Sequence, residues 1–126
     1  MTERDETAIE ADIQAAGATA PRLTPADIDA TILSTHVFRA SDAVVDTGLA
    51  GESLRCLTIA LLILRNGFVV QGFSACASPE NYDAEIGAKV AVANAREKIW
   101  QLEGYLLKQR LYEANQLSLG LQEFGA

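Results

Sequence analysis

The chain of 126 residues is short of the side chains that most often carry chemistry: it has one histidine (His36), two cysteines (Cys56 and Cys76) and one tryptophan (Trp100). One histidine and two cysteines at these spacings do not make a zinc site. No serine–histidine–aspartate order is present. Asp83 and Glu85 stand where a helix begins, and the helix dipole accounts for them. No catalytic residue, metal or cofactor is expected, and the chain does not read as an enzyme. A phosphate-cradling loop is missing too, since GLAG at 48–51 lacks the lysine and the strand–helix setting. Long apolar runs are absent, and none approaches the roughly 18 residues of a membrane helix. The opening MTERDETAIEADI has no apolar core of a secretory signal. A cytoplasmic protein with no membrane contact is expected. Cations are few: 10 Lys and Arg against 17 Asp and Glu give a net charge of −7. That excludes a surface built to displace counterions from DNA or RNA. A small phosphate-bearing ligand needs only a few local cations and stays open.

What is present is a core-forming composition, 49 % apolar, in a length suited to one domain. Residues 1–22 bury little and read as a mobile tail, although Ile9 and Ile13 could share one side of a short helix. The domain proper spans 23–116, and 117–126 is a second tail. TPADIDATILST at 24–35 starts as a helix should, with Thr24 as cap, Pro25 at the first position and Asp27 three residues on. Residues 40–53 are small and polar and read as a loop, with a short strand considered at Val44–Val45.

LRCLTIALLIL and FVVQGFSACA flank Arg65-Asn66-Gly67-Phe68. Asn-Gly between β-prone runs predicts a hairpin. With Asn66 and Gly67 as a two-residue turn, Ile63 pairs with Val70, Leu61 with Gly72, Ile59 with Ser74 and Leu57 with Cys76. That register sends Cys56 and Cys76 to opposite faces as separate structural thiols. A bulge at Gly72 would change it. Both faces of the hairpin are apolar, so one meets a helix and the other needs the first helix or another subunit. ENYDAEIGAKVAVANAREKIWQLEGYLL opens a helix expected over about 83–114, capped by Asn81 or Asp83. At 1.5 Å per residue that is roughly 48 Å, too long for one small domain to cover. Either Gly104 breaks it or it packs along a second chain. Gly87, Ala91 and Ala95 would let another backbone approach closely. The fold class is α+β: a small antiparallel sheet, a short N-terminal helix and a long C-terminal helix, oligomeric through sheet and helix.

Asn94, Lys98, Gln101, Tyr105 and Lys108 form one stripe of the long helix. It suits a solvated face or a wet pocket between subunits. Phe73 and Tyr82 suit core packing or stacking on a flat base. Arg55, Arg65, Arg96, Lys98 and Arg110 are the cations that could reach phosphates.

RLTPADIDATILSTHVF, RCLTIALLILRNGFVVQGFSAC and PENYDAEIGAKVAVANAREKIWQLEGYLLKQRL, in that order, resemble the small phage protein family that includes the first-described Thoeris anti-defence sponge. The likeness covers residues 22 to about 112. It implies dimers, further assembled into hexamers, that hold a cyclic ADP-ribose isomer, such as a glycocyclic ADP-ribose, or a cyclic oligonucleotide at the subunit interface in the host bacterial cell. The signal is captured, not degraded, and immune effectors lose their activator. Carried over by position, the ligand-facing residues would be Asn81, Tyr82, Asn94 and Lys98, with Phe73, Arg65, Tyr105 and Arg110 as weaker additions. Two positions depart from the pattern. Phe73 stands where a polar residue usually follows the glycine, and Gln101 where a proline usually precedes LEGYLL. The alternative is a phage inhibitor that binds a host protein through its acidic surface.

Overall fold

A computed structural model describes the backbone of residues 5–45, 48 and 51–125, and side chains as far as residue 120. Residues 1–4 of the expected N-terminal tail, 46–47 and 49–50 of the expected loop, Ala126, and the side chains of 121–125 in the expected C-terminal tail lie outside that description. The elements are α1 (Glu6–Ala15), α2 (Pro25–Thr31), β1 (Ile32–Arg39), α3 (Gly51–Arg55), β2 (Leu57–Leu64), β3 (Val69–Ala75) and α4 (Ala84–Gly125). The three strands form one antiparallel sheet in the order β1-β2-β3. This is the expected α+β architecture.

The local signals act as their chemistry dictates. Thr24 accepts a hydrogen bond from the Asp27 amide while the Asp27 carboxylate accepts from the Thr24 amide, a complete capping box. Asp83 Oδ1 accepts from the Ile86 amide at 3.0 Å and starts α4. α2 is shorter than TPADIDATILST suggested. It stops at Thr31, and Ile32 onward, including His36, goes into β1. Val44 and Val45 are not in a strand.

The hairpin register differs from the expected one by a single residue. Ile63 pairs with Val69, Leu62 with Val70, Ala60 with Gly72 and Ile59 with Phe73. The cause is the turn. Of the two turn residues Gly67 has positive φ, at 90°, and Asn66 does not, so the two-residue turn that needs both in that region cannot form. Instead Gly67 N–H donates to the Leu64 carbonyl at 2.9 Å and Leu64 N–H to the Phe68 carbonyl at 2.8 Å. The loop is three residues long, with Gly67 in the left-handed position and Asn66 Oδ1 accepting from the Phe68 amide. The slip regroups the faces, because side chains alternate with period two. Thr58, Ala60, Leu62 and Leu64 share the buried face with Val70 and Gly72, while Val69 and Phe73 go to the outer face. It also makes Cys56 and Cys76 direct cross-strand neighbours. The Cys76 amide donates to the Cys56 carbonyl at 3.0 Å. The β2–β3 ladder runs through Gly72 without a bulge, and the irregularity lies in β1 between Ile32 and Ser34.

The core lies between the sheet and α4. Ile28 of α2, Leu62, Leu64, Val70, Ala95 and Ile99 form its centre, with Ile32 and Trp100 packed against it. Ala91 and Ala95 do admit a close backbone, and it belongs to the same chain, while Gly87 makes room for the Thr58 side chain. A Cβ on Gly72 would lie 2.0 Å from the Ala91 carbonyl oxygen and 2.4 Å from the Ala95 nitrogen. The alanine stripe and the glycine are two sides of one contact between α4 and β3. α4 continues unbroken through Gly104 to 42 residues, about 63 Å, beyond the expected end near 114 and through the stretch read as a tail. The N-terminal stretch likewise holds a helix, α1. None of its residues is buried. Its ties are polar: Glu6 to Arg96 and Trp100, and Glu10 to Arg22.

Candidate functional site

Three of the eight expected ligand residues meet along β3. The Asn94 side-chain amide donates to the Phe73 carbonyl at 2.8 Å. Lys98, one turn further on α4, holds its ammonium 6.0 Å from the centre of the Phe73 ring. That ring is half exposed, at 49 %, as the outer face of an edge strand allows. Asn94 is a poor helix former, and its place is explained by this bond from α4 to the strand backbone.

Lys98 also leads into a cleft of about 580 Å³ between the hairpin tip and α4, lined by Asn66, Phe68, Gln71, Gln101, Tyr105 and Leu106 among others. Tyr105 is 71 % exposed. Lys98 therefore stands between the exposed Phe73 ring and a cleft that holds amide groups and the Tyr105 ring. Such a set can stack on a flat ring, read polar edges and neutralise a phosphate.

Asn81 and Tyr82 form a separate group at the corner between β3 and α4. Asn81 ends a short 3₁₀ turn, Pro79–Asn81. Tyr82 lies under Arg39, whose guanidinium carbon is 3.8 Å from the ring centre. Arg39 Nε donates to the Arg55 carbonyl at 2.6 Å, so the stack is held from behind. Arg39 was absent from the cations singled out in the sequence. It follows a β-prone run and nothing local marks it. The β1–β2 register brings it opposite Thr58.

Arg65 and Arg110 do not join either group. Arg65 Nε donates to the Ala30 carbonyl at 2.6 Å and ties the hairpin to the end of α2. Arg110 is exposed on the distal part of α4. Arg96, one of the cations that could reach phosphates, ion-pairs with Glu6 and Asp29. Its hydrogen bonds to Glu6 hold its pKa well above the ordinary guanidinium range. Glu10 is pulled down to about 2 by its hydrogen bonds from Arg22. Among the described residues no group of three or more His, Cys, Asp or Glu could hold a metal, and no helix is long and apolar enough to cross a membrane.

Comparison with known families matches residues 23–111 to the phage protein family of N4 Gp49 and phage Sf6 gene 66. No curated protein and no solved structure matches.

Proposed function

The chain belongs to the phage protein family of N4 Gp49 and phage Sf6 gene 66, and from that premise we propose that it is an anti-defence protein that captures a nucleotide immune signal and holds it unchanged. The ligand class is a cyclic ADP-ribose isomer, such as the glycocyclic form, or a cyclic oligonucleotide. The observation that carries the reading is the joint placement of Phe73, Asn94 and Lys98 beside the cleft that reaches Tyr105. Phe73 stacks on a base, Lys98 meets a phosphate, and Gln71 and Gln101 at the cleft read polar edges. The protein acts as a homo-oligomer, a dimer or a hexamer built from dimers. The outer half of α4 and the apolar outer face of the sheet supply the contact between copies. With Arg96 ion-paired to Glu6 and Asp29, phosphate charge at the cleft falls to Lys98. Capture without turnover makes no demand for an acid–base pair.

The test is thermal melting of the full chain with a panel of cyclic nucleotides and cyclic ADP-ribose isomers, followed by recovery of the ligand after heating. One ligand at 100-fold excess over its Kd adds about 2.7 kcal/mol, a shift of several degrees, and returns intact. Ligand consumed with time would instead mean a hydrolase. A flat panel together with a host protein that co-purifies through the acidic surface would overturn the reading. Lys98→Ala and Phe73→Ala each weaken binding, the latter by about 1–3 kcal/mol if the ring stacks on a base.

A further inference from the structure

Cys56 and Cys76 are the one pair of thiols in the chain, and the hairpin sets them face to face. Leu57 pairs with Ala75, so the next rung of the ladder is Cys56 opposite Cys76. The Cys76 amide hydrogen-bonds the Cys56 carbonyl at 3.0 Å. Directly opposed residues of an antiparallel pair have Cα atoms about 4.5–5.5 Å apart, inside the span a disulfide bridges. Both thiols are free. Cys56 is buried and Cys76 half-buried, with the Cys76 sulfur 3.6 Å from the Cys56 carbonyl oxygen and 3.2 Å from that of Ser78. Burial, and after it the neighbouring Cys76 thiol, pushes the Cys56 thiol above its ordinary pKa. The two cysteines thus differ in role. Cys76 is the accessible one, and Cys56 is screened but within reach of it.

We infer that Cys56 and Cys76 form a reversible dithiol–disulfide site that staples the start of β2 to the end of β3. The oxidant is a small-molecule disulfide of the glutathione type. The Cys76 thiolate attacks one of its sulfurs, forming a mixed disulfide and expelling one thiolate. The Cys56 thiolate then attacks the Cys76 sulfur and expels the second. Two protons pass to solvent or to the released thiolates, so two protein thiols are oxidised and one external disulfide is reduced to two thiols. The staple closes directly behind the corner that carries Asn81 and Tyr82. It also fixes Arg55, whose carbonyl holds Arg39 over Tyr82. In a reducing compartment the site stays open, and disulfide stress closes it.

The test is incubation of the folded full-length protein with oxidised glutathione, alkylation of remaining thiols, and intact-mass and peptide mapping. The expected product is a single chain that has lost two hydrogens, carries no glutathione, resists alkylation, shows a Cys56–Cys76 linked peptide, and is restored by a dithiol reductant. Cys56→Ser should stall at glutathione on Cys76, and Cys76→Ser should leave Cys56 unmodified while the fold persists. Stable glutathione adducts on the wild type would overturn the inference. So would a linkage between two chains, or a bridge that forms only after the protein is unfolded in denaturant.

Discussion

From Ala84 to Trp100, α4 turns Gly87, Ala91, Ala95 and Ile99 toward the sheet at four-residue spacing, and all four are buried. From Gln101 to Gly120 the same helix buries no residue, and it exposes Leu102, Tyr105, Leu106, Leu111, Tyr112, Leu117 and Leu119. The two halves do not differ in being helical. They differ in what lies beside them. The first half has small residues where β2 and β3 approach and one large residue, Ile99, where the core is deepest. The second half first faces the hairpin tip across the cleft with Leu102, Tyr105 and Leu106, and beyond them Leu111, Tyr112, Leu117 and Leu119 stay exposed. One helix therefore closes the core with its first half and carries exposed apolar surface with its second, the surface that the proposed oligomer would cover.

The comparison breaks most sharply at Gly72. Gly72→Ala places a methyl group 2.0 Å from the Ala91 carbonyl oxygen, against backbone on both sides. A loss of about 3 kcal/mol, the upper end for overpacking, is expected in urea unfolding. A loss under 1 kcal/mol would show that α4 can lift from the sheet without cost. Ile99→Ala and Leu106→Ala sharpen it next. Leaving a cavity at fully buried Ile99 costs about 2–5 kcal/mol, whereas Leu106, 42 % exposed, costs the single chain about 0.5 kcal/mol or less. A Leu106 effect that grows with protein concentration would report the second copy directly. Gly104→Ala gives a smaller effect of opposite sign. Nothing lies within 4 Å of a Cβ there, so removing a helix-interior glycine stabilises by about 0.5–1 kcal/mol in thermal melts. Destabilisation instead would place another backbone against Gly104 in the assembled protein.

The gentlest test concerns α1, which like the outer part of α4 buries no residue but is held by ions. Glu10 titrates at about 2 in the folded chain against an ordinary value of 4.5. Its folded pKa is depressed, so its contribution to docking is fully present above about 4.5. It is lost as pH falls toward about 2. Carboxyl-carbon NMR of Glu10 should find that low midpoint, and the hydrogen-exchange protection factors of α1 amides should fall over the same window. Arg22→Ala should return the midpoint to the ordinary range.

In the sequence alone, Thr24-Pro25-Asp27 marks the start of α2, Asn66-Gly67 marks the hairpin, and the 80–107 stretch marks the long helix. Each signal is complete within a few residues. The candidate site was half visible. Asn94, Lys98 and Phe73 were singled out and stand together, but Arg39 was missed, and Arg65 and Arg96 proved to be structural ties. Those outcomes turn on which carbonyl or carboxylate another element brings near, and a local pattern carries no record of that.

Capping, turn placement, strand-forming runs and the charge balance follow from the residues alone, because they depend on each side chain and its own backbone. Register, the fit of Gly72 onto Ala91 and Ala95, the docking of α1 through Glu6 and the meeting of Cys56 with Cys76 belong to the tertiary structure. One left-handed glycine instead of two left-handed turn residues moved the pairing by one position. With side chains alternating at every step, that single position decided which face met α4 and which thiols became neighbours.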